Sequence, residues 1–378
     1  MTLMQSPRTV EISLTSRCNL SCLYCSHYTS ATDTGRDLPQ EEWLLFFEEL
    51  NRLAVMDVVL CGGEPFMHRD FREIAAGIAA NRMRFSVLSN GTLIDEETAA
   101  FLASTGRCNH VQVSLDAGEA EGHDACRGEG NFARALRGFD NLRKAGVNVA
   151  VRVTIHRHNV RHLEETARFL LEEVGLPGFS TNAAGYLGLC REHSDIQLST
   201  EERALAMGTL LRLNEKYGNR IGAAAGPLAE ARMWTAMEEA RRAGKEQFPR
   251  GGALTACGCI WSKISVRPDG VVVPCTQIPH IELGRINRDS LAQIWQSHPE
   301  LERLRRRQAI PLSDFDQCRD CPYAPYCTGN CPALAYSLTG DAYAPSPDAC
   351  LKRYLADGGR LPAGAETIAA TCSGGSTA

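Results

Sequence analysis

Between Val10 and about Phe179, short apolar runs alternate with stretches of helical period. The runs Val10–Leu14, Asp57–Leu60, Phe85–Leu88, His110–Leu115, Val147–Ile155 and Gly178–Thr181 are rich in Val, Ile and Leu, as expected of parallel strands covered on both faces. In Pro39–Leu53, Trp43, Phe46, Phe47, Leu50 and Leu53 recur at three- and four-residue steps behind Pro39, which predicts a helix with one buried stripe. Similar patterns predict helices over Phe71–Ala80, Glu96–Ser104, Phe132–Ala145 and Leu163–Val174. A sixth covers Glu201–Tyr217, with Ser199 or Thr200 as N-cap and Glu201 and Glu202 in its first turn.

Six βα units in succession predict an α/β chain folded as a partial (β/α)6 TIM-like barrel, lacking two of the usual eight units. A doubly wound open sheet is the alternative that periodicity leaves open. Right-handed crossovers would set the C-terminal ends of all strands on one rim. The expected organisation is a barrel over 1–217, a linker with one helix from Leu228 to about Arg242 over 218–256, a cysteine-dense domain over 257–355, and a disordered Gly-, Ala-, Thr- and Ser-rich tail over 356–378.

Composition narrows the function. With 44% hydrophobic and 22% charged residues among 378, this is a globular chain, and its net charge of −5 argues against general nucleic-acid binding. No apolar run is long enough to span a membrane, and the N-terminus lacks the apolar core of a signal peptide. Sixteen cysteines are the anomaly. Disulfide scaffolds are short secreted chains, whereas these thiols fall in ligand-like clusters within a long one. A reducing cytoplasm and several metal centres are the expectation.

Cys18, Cys22 and Cys25 stand at offsets of four and three in a loop behind the first strand. Such a loop can wrap three thiolates around a [4Fe–4S] cube and leave one iron open to a small molecule, where electron-transfer clusters take four. Zinc knuckles want two close pairs, which this triple is not. The spacing CxxxCxxC, followed by Gly62-Gly63-Glu64-Pro65, resembles the radical S-adenosylmethionine (SAM) superfamily. That resemblance implies SAM chelated on the open iron and a 5′-deoxyadenosyl radical that abstracts hydrogen from a substrate.

The resemblance also implies SAM contacts. Gly62, Gly63 and Glu64 match the motif that meets the methionine amino group. Ser114 and Asp116 match a Ser-Leu-Asp signature near the ribose and methionine. Arg127 matches the arginine that pairs with the carboxylate, a task suited to its planar fork. Asn90, in Ser89-Asn90-Gly91-Thr92, and Tyr24 are candidates for the nucleoside, with turn formation and core packing as equal alternatives. Cys61 and Cys126 flank these motifs and are minor candidates as hydrogen donors. They are otherwise read as buried apolar side chains, like Cys108, Cys190 and Cys372.

Cys259, Cys275, Cys318, Cys321, Cys327, Cys331 and Cys350 resemble the SPASM module of that superfamily, which carries auxiliary iron–sulfur clusters. The resemblance implies one cluster on Cys318, Cys321, Cys327 and Cys350. A second falls on Cys259, Cys275 and Cys331, with Cys257 as fourth ligand or with an iron left free for substrate. A zinc ribbon over Cys318–Cys331 is the alternative. Lys263–Arg267 and Val271–Val273 around Pro268-Asp269-Gly270 predict a hairpin that brings Cys259 and Cys275 together. The basic run Arg303, Arg305, Arg306, Arg307 reads as a solvated helix face, and His156 and His158 as structural.

SPASM relatives act largely on ribosomally made peptides, so the expected activity is radical modification of a peptide or protein side chain, such as crosslinking or epimerisation. The alternatives are a radical dehydrogenase of a small alcohol or sugar and sulfatase-maturase-like oxidation. The aspartate of the last group is missing here, because Thr276 and Gln277 follow Cys275. Only 17 residues precede Cys18, so the chain is expected to use a separate peptide-recognition protein or to bind the peptide in the barrel. A flavodoxin- or ferredoxin-type reductant is the other expected partner. The catalytic base or hydrogen donor, the substrate and the oligomeric state are not readable in the sequence.

Overall fold

The computed structural model describes residues 3–27, 36–255 and 257–362. Its first half is the expected alternation. In chain order it runs β1 (Thr9–Thr15), α1 (Gln40–Arg52), β2 (Asp57–Gly62), α2 (Phe71–Ala80), β3 (Arg84–Ser89), α3 (Glu96–Ser104), β4 (Cys108–Ser114), α4 (Ala120–Arg127), α5 (Asn131–Lys144), β5 (Val149–Ile155), α6 (Leu163–Arg168) with a π turn over Phe169–Glu173, β6 (Phe179–Ala183), α7 (Thr200–Lys216), β7 (Ile221–Ala223) and α8 (Pro227–Arg242). The second half holds α9 (Cys259–Ser262), β8 (Lys263–Val266), β9 (Val271–Val273), β10 (Gly284–Arg285), α10 (Leu291–Ser297), α11 (Pro299–Arg306), α12 (Asp316–Arg319), α13 (Pro332–Thr339) and α14 (Leu351–Ala356).

One sheet contains all ten strands in the order β10-β9-β8-β1-β2-β3-β4-β5-β6-β7. The strands β1 to β7 follow chain order without a reversal, and each pairs in parallel with the next. Every crossover therefore steps the same way, and right-handedness sends all the helices to one face. A doubly wound sheet needs a reversal, so that alternative is excluded and the partial barrel stands.

Two boundaries differ from expectation. Residues 221–223 form β7, a seventh parallel strand on β6, so the segment 218–256 adds a strand to the sheet ahead of its expected helix, α8. At the other edge, β8 pairs in parallel with β1 and antiparallel with β9, so the cysteine-dense region extends the barrel sheet. Residues 356–362, expected to belong to the tail, are among the described residues. The Tyr354 hydroxyl donates to the Arg360 carbonyl, so 357–362 are placed, while 363–378, with Cys372, lie outside the described residues.

Strand alternation sorts the side chains. Val10, Ile12 and Leu14 are fully buried with Trp43, Phe46, Phe47 and Leu50 of α1. Their neighbours Glu11 and Ser13, like Ser86, Gln112 and Arg152, fall on the opposite, inward face. The barrel lining is thus polar and its helix side apolar. A second apolar cluster joins α8 to the C-terminal region through Trp234, Tyr323, Tyr326 and Tyr354. Arg203 of α7 stands over the Trp234 ring and pairs with Glu230.

Candidate active site

The three-cysteine loop leaves β1 at the C-terminal rim, where backbone bonds from the next strand hold it. Gly63 N–H donates to the Thr15 carbonyl at 2.7 Å and Glu64 N–H to the Arg17 carbonyl at 2.8 Å. Gly62 has φ +128°, and a Cβ there would stand 2.4 Å from the Thr15 oxygen. Only glycine allows this approach, so Gly62 sets the height at which Cys18 enters its loop. On the far side, Leu23 N–H donates to the Cys126 carbonyl and Leu189 N–H to that of Cys25.

As free thiols Cys18 and Cys22 remain protonated. Burial pushes Cys18 up to about 12, with Glu64, Cys22 and Cys25 adding to the rise. Burial also raises Cys22, against the downward pull of Arg127. Two desolvated thiols with a third beside them suit a cationic metal centre, which deprotonates its thiol ligands. The donor set fits the family cluster.

Glu64 is fully buried. Its carboxylate accepts from the Ser89 hydroxyl and from Asn90 N–H, both at 2.8 Å. Asn90 in turn donates to Asn19 Oδ1 at 2.9 Å and stands 3.8 Å from Cys18 Sγ, while its Oδ1 accepts from Thr92 N–H. Glu64 thus braces the turn after β3 against the cysteine loop. Burial pushes its carboxyl up to about 7, opposed by those hydrogen bonds.

Arg127, at the end of α4, turns its fork on Asp116. Nε is 2.6 Å from Oδ2 and Nη2 3.4 Å from Oδ1, while Nη1 stands 4.0 Å from Cys22 Sγ. Tyr24 donates to the same Oδ2, and Thr154 N–H reaches Oδ1 at 2.9 Å. The Tyr24 ring stacks on His156, centroids 5.4 Å apart. Ser114 ends β4, half-buried, two residues before Asp116. The structure therefore brings Tyr24, Asp116 and Arg127 into one buried network beside Cys22, and Glu64 and Asn90 into another beside Cys18.

Several participants carried no sequence signal. Ser89, Thr154 and Asn159 act on Glu64 and Asp116, and Asn159 Nδ2 bridges the Asp116 and Thr154 carbonyls. His156 is fully buried, with Nδ1 3.6 Å from Cys126 Sγ. Cys126 and Cys190 pack with Tyr24 and Ile196 in a small apolar cluster under the loop, whereas Cys61 lies 3.7 Å from the Ser13 hydroxyl.

In the C-terminal region the β8–β9 hairpin forms as expected, with Gly270 at φ +86° in its turn. The thiols fall into two sets. Cys259 adjoins both Cys257 and Cys275, and Cys257 lies near Cys331. Cys318 lies near Cys327, Cys321 and Cys350, which add to the rise that burial gives its thiol. Among the described residues, no three His, Cys, Asp or Glu side chains converge on one point as a mononuclear site requires. All fifteen described cysteines are free thiols.

After Cys275, Thr276 donates to Glu11 Oε1 at 3.0 Å, Lys263 Nζ is 2.6 Å from Glu11 Oε2, and Gln277 Nε2 reaches Ser26 Oγ at 3.3 Å. The basic run is not one solvated face. Arg303 and Arg306 pair with Glu300 and Glu302 on the surface, but Arg305 and Arg307 are buried.

Comparison with known proteins agrees with this geometry. The Radical SAM superfamily matches residues 12–170, and the SPASM iron–sulfur cluster-binding domain matches 257–322. An Fe-coproporphyrin III synthase of Methanosarcina barkeri is 29% identical over 88% of this chain and 85% of its own length. A PqqA peptide cyclase of Methylocella silvestris is 28% identical over the same shares. SuiB of Streptococcus suis, solved with S-adenosylmethionine bound, matches the fold with a TM-score of 0.68 at 15% identity, over 92% of this chain and 78% of its own. This chain is a radical SAM enzyme with a C-terminal SPASM domain, served by SAM and iron–sulfur clusters.

Proposed function

We propose that this chain modifies a side chain of a ribosomally made peptide, by crosslinking or epimerisation. The observation that carries the reading is similarity to a peptide cyclase along 88% of the chain, together with two further thiol sets behind the SAM-site triple. In this reading Cys18, Cys22 and Cys25 hold the cluster that, reduced and with SAM bound, supplies the 5′-deoxyadenosyl radical. Gly62 and Gly63 let the backbone approach the methionine amino group, and Glu64 supplies a buried negative charge beside it. Arg127, aimed by Asp116, offers Nη1 to the methionine carboxylate, and Tyr24, Ser114 and Asn90 line the nucleoside end.

Cys257, Cys259, Cys275 and Cys331 hold one auxiliary cluster, and Cys318, Cys321, Cys327 and Cys350 the other. The free thiols support work in a reducing cytoplasm, with a flavodoxin- or ferredoxin-type reductant and a separate protein to present the peptide.

The iron-porphyrin relative favours a second reading, in which the polar barrel lining takes a tetrapyrrole. Anaerobic incubation with SAM and reductant separates the two. One reaction contains peptides encoded beside the gene, and the other Fe-coproporphyrin III. A SAM-dependent mass change in a peptide, with the porphyrin unaltered, is expected. Conversion of the porphyrin alone would overturn the peptide reading.

A further inference from the structure

Arg307 is fully buried. Its guanidinium makes four hydrogen bonds, all to backbone carbonyls. Nε donates to the Ala342 carbonyl at 2.8 Å, Nη1 to those of Thr255 and, at 3.0 Å, Asn330, and Nη2 to that of Ala344 at 2.8 Å. Among the described residues no carboxylate forms an ion pair with it, in contrast to Arg303 and Arg306 on the same stretch. Two of the four carbonyls sit just ahead of thiols, Thr255 two residues before Cys257 and Asn330 one before Cys331. One nitrogen thus ties together the segments that carry those cysteines.

A buried cation without a counter-ion is costly, by several kcal/mol on the usual scale. Burial lowers the Arg307 guanidinium to about 10, opposed first by the neighbouring Cys331 and then by Asp341 and Cys257. Through the Thr255 and Asn330 carbonyls the guanidinium sits against the segments that carry Cys257 and Cys331. A cluster held by four thiolates is anionic and gains a further negative charge on reduction, so a fixed neighbouring cation favours its reduced form.

We propose that Arg307 is the positioning residue and counter-ion of the auxiliary centre on Cys257, Cys259, Cys275 and Cys331. It clamps two ligand-bearing segments and raises that centre's reduction potential. The inference rests on the iron–sulfur reading of this thiol set. It predicts that one auxiliary centre, and not the one on Cys318, Cys321, Cys327 and Cys350, responds to a change at this position.

The test uses the full chain with Cys18, Cys22 and Cys25 replaced by Ala, reconstituted anaerobically so that only auxiliary centres remain. Iron is counted, loss to a chelator is timed, and potentials are read by EPR-monitored titration. Arg307→Gln should lower the potential of one of two centres and speed its iron loss about tenfold or more, as removal of an outer partner of a metal ligand does. The exposed neighbour variant Arg306→Gln should match the parent.

Should Arg307→Gln fail to fold, Arg307→Lys retains the charge but cannot span four carbonyls. It should keep the parent potential and still shed iron from that centre faster. Unchanged potential and iron retention in Arg307→Gln, or native iron retention in Arg307→Lys, would overturn the proposal. A parent that holds zinc or no iron would instead overturn the iron–sulfur reading itself.

Discussion

Arg127 grips Asp116 in an ion pair whose Nε–Oδ2 distance is 2.6 Å and whose carboxylate is fully buried. Burial alone would raise Asp116, but the Arg127 charge and hydrogen bond outweigh it and hold the carboxyl down to about 2. Removal of the arginine strands a buried charge, which typically costs about 3–5 kcal/mol. Arg127→Ala should lose stability on that scale in anaerobic denaturant titration, besides weakening SAM binding. Because the Asp116 value is depressed, the pair's contribution is complete above the unfolded value of 3.8 and is lost as pH falls towards 2. A loss below about 1 kcal/mol, the scale of an exposed pair, would contradict this account of the pair.

Glu64 shifts the other way, to about 7. A carboxyl raised on folding stabilises the fold below its unfolded value of 4.5, and that contribution is lost as pH rises through 7. SAM binding runs opposite, since an ammonium beside Glu64 needs the carboxylate. Affinity should therefore climb up to about tenfold per pH unit below 7 and level off above it. Anaerobic equilibrium dialysis between about pH 5.5 and 8 reads this, and Glu64→Gln should flatten the profile. A native slope in the variant would remove Glu64 from SAM binding.

Gly62→Ala tests the coupling of β2 to the cysteine loop. Its φ of +128° and a Cβ 2.4 Å from the Thr15 oxygen force the strand ends apart, at about 1–3 kcal/mol for the backbone conformation alone. The variant should lose iron from the SAM site and keep that of the auxiliary centres. Native iron content would show that the loop tolerates the displacement.

The sequence made the barrel legible because its signal is repetitive. Trp43, Phe46, Phe47 and Leu50 mark α1 by period, and the Val-rich strands lie within a residue or two of their observed ends. Two of the missed elements lacked apolar marks. Helix α4 buries Gly122, His123, Cys126 and Arg127, a functional face that hydropathy reads as polar. Strand β7 is only Ile-Gly-Ala, too short for a pattern. Arg305 and Arg307 looked solvated because charge runs usually are, and burial on backbone carbonyls leaves no trace in composition. The cysteines were legible because ligand spacing is local in sequence. Ser89, Thr154 and Asn159 were not, because they act through hydrogen bonds made only in the folded chain.

The residue after Cys275 bears on sulfatase chemistry. Thr276 and Gln277 are not useful bases near neutral pH, and loss of a positioned base costs about 10²–10⁴-fold. The carboxylate bonded to Thr276, Glu11, is held by Lys263 at 2.6 Å. A sulfatase-motif peptide incubated with enzyme, SAM and reductant should yield no formylglycine while SAM is still cleaved. Multiple turnovers to formylglycine would promote that reaction over peptide crosslinking and point to Glu11 as its base.

In the proposed function, radical generation resides in the loop behind β1, apart from the auxiliary thiols. Its most direct measurement is 5′-deoxyadenosine formed from SAM on dithionite reduction, read beside iron content in the parent and in Cys22→Ala. The parent should form the nucleoside with about twelve irons bound, if all three clusters are [4Fe–4S], and Cys22→Ala should form none while it keeps about eight. Undiminished 5′-deoxyadenosine from Cys22→Ala would place radical generation outside the loop of Cys18, Cys22 and Cys25.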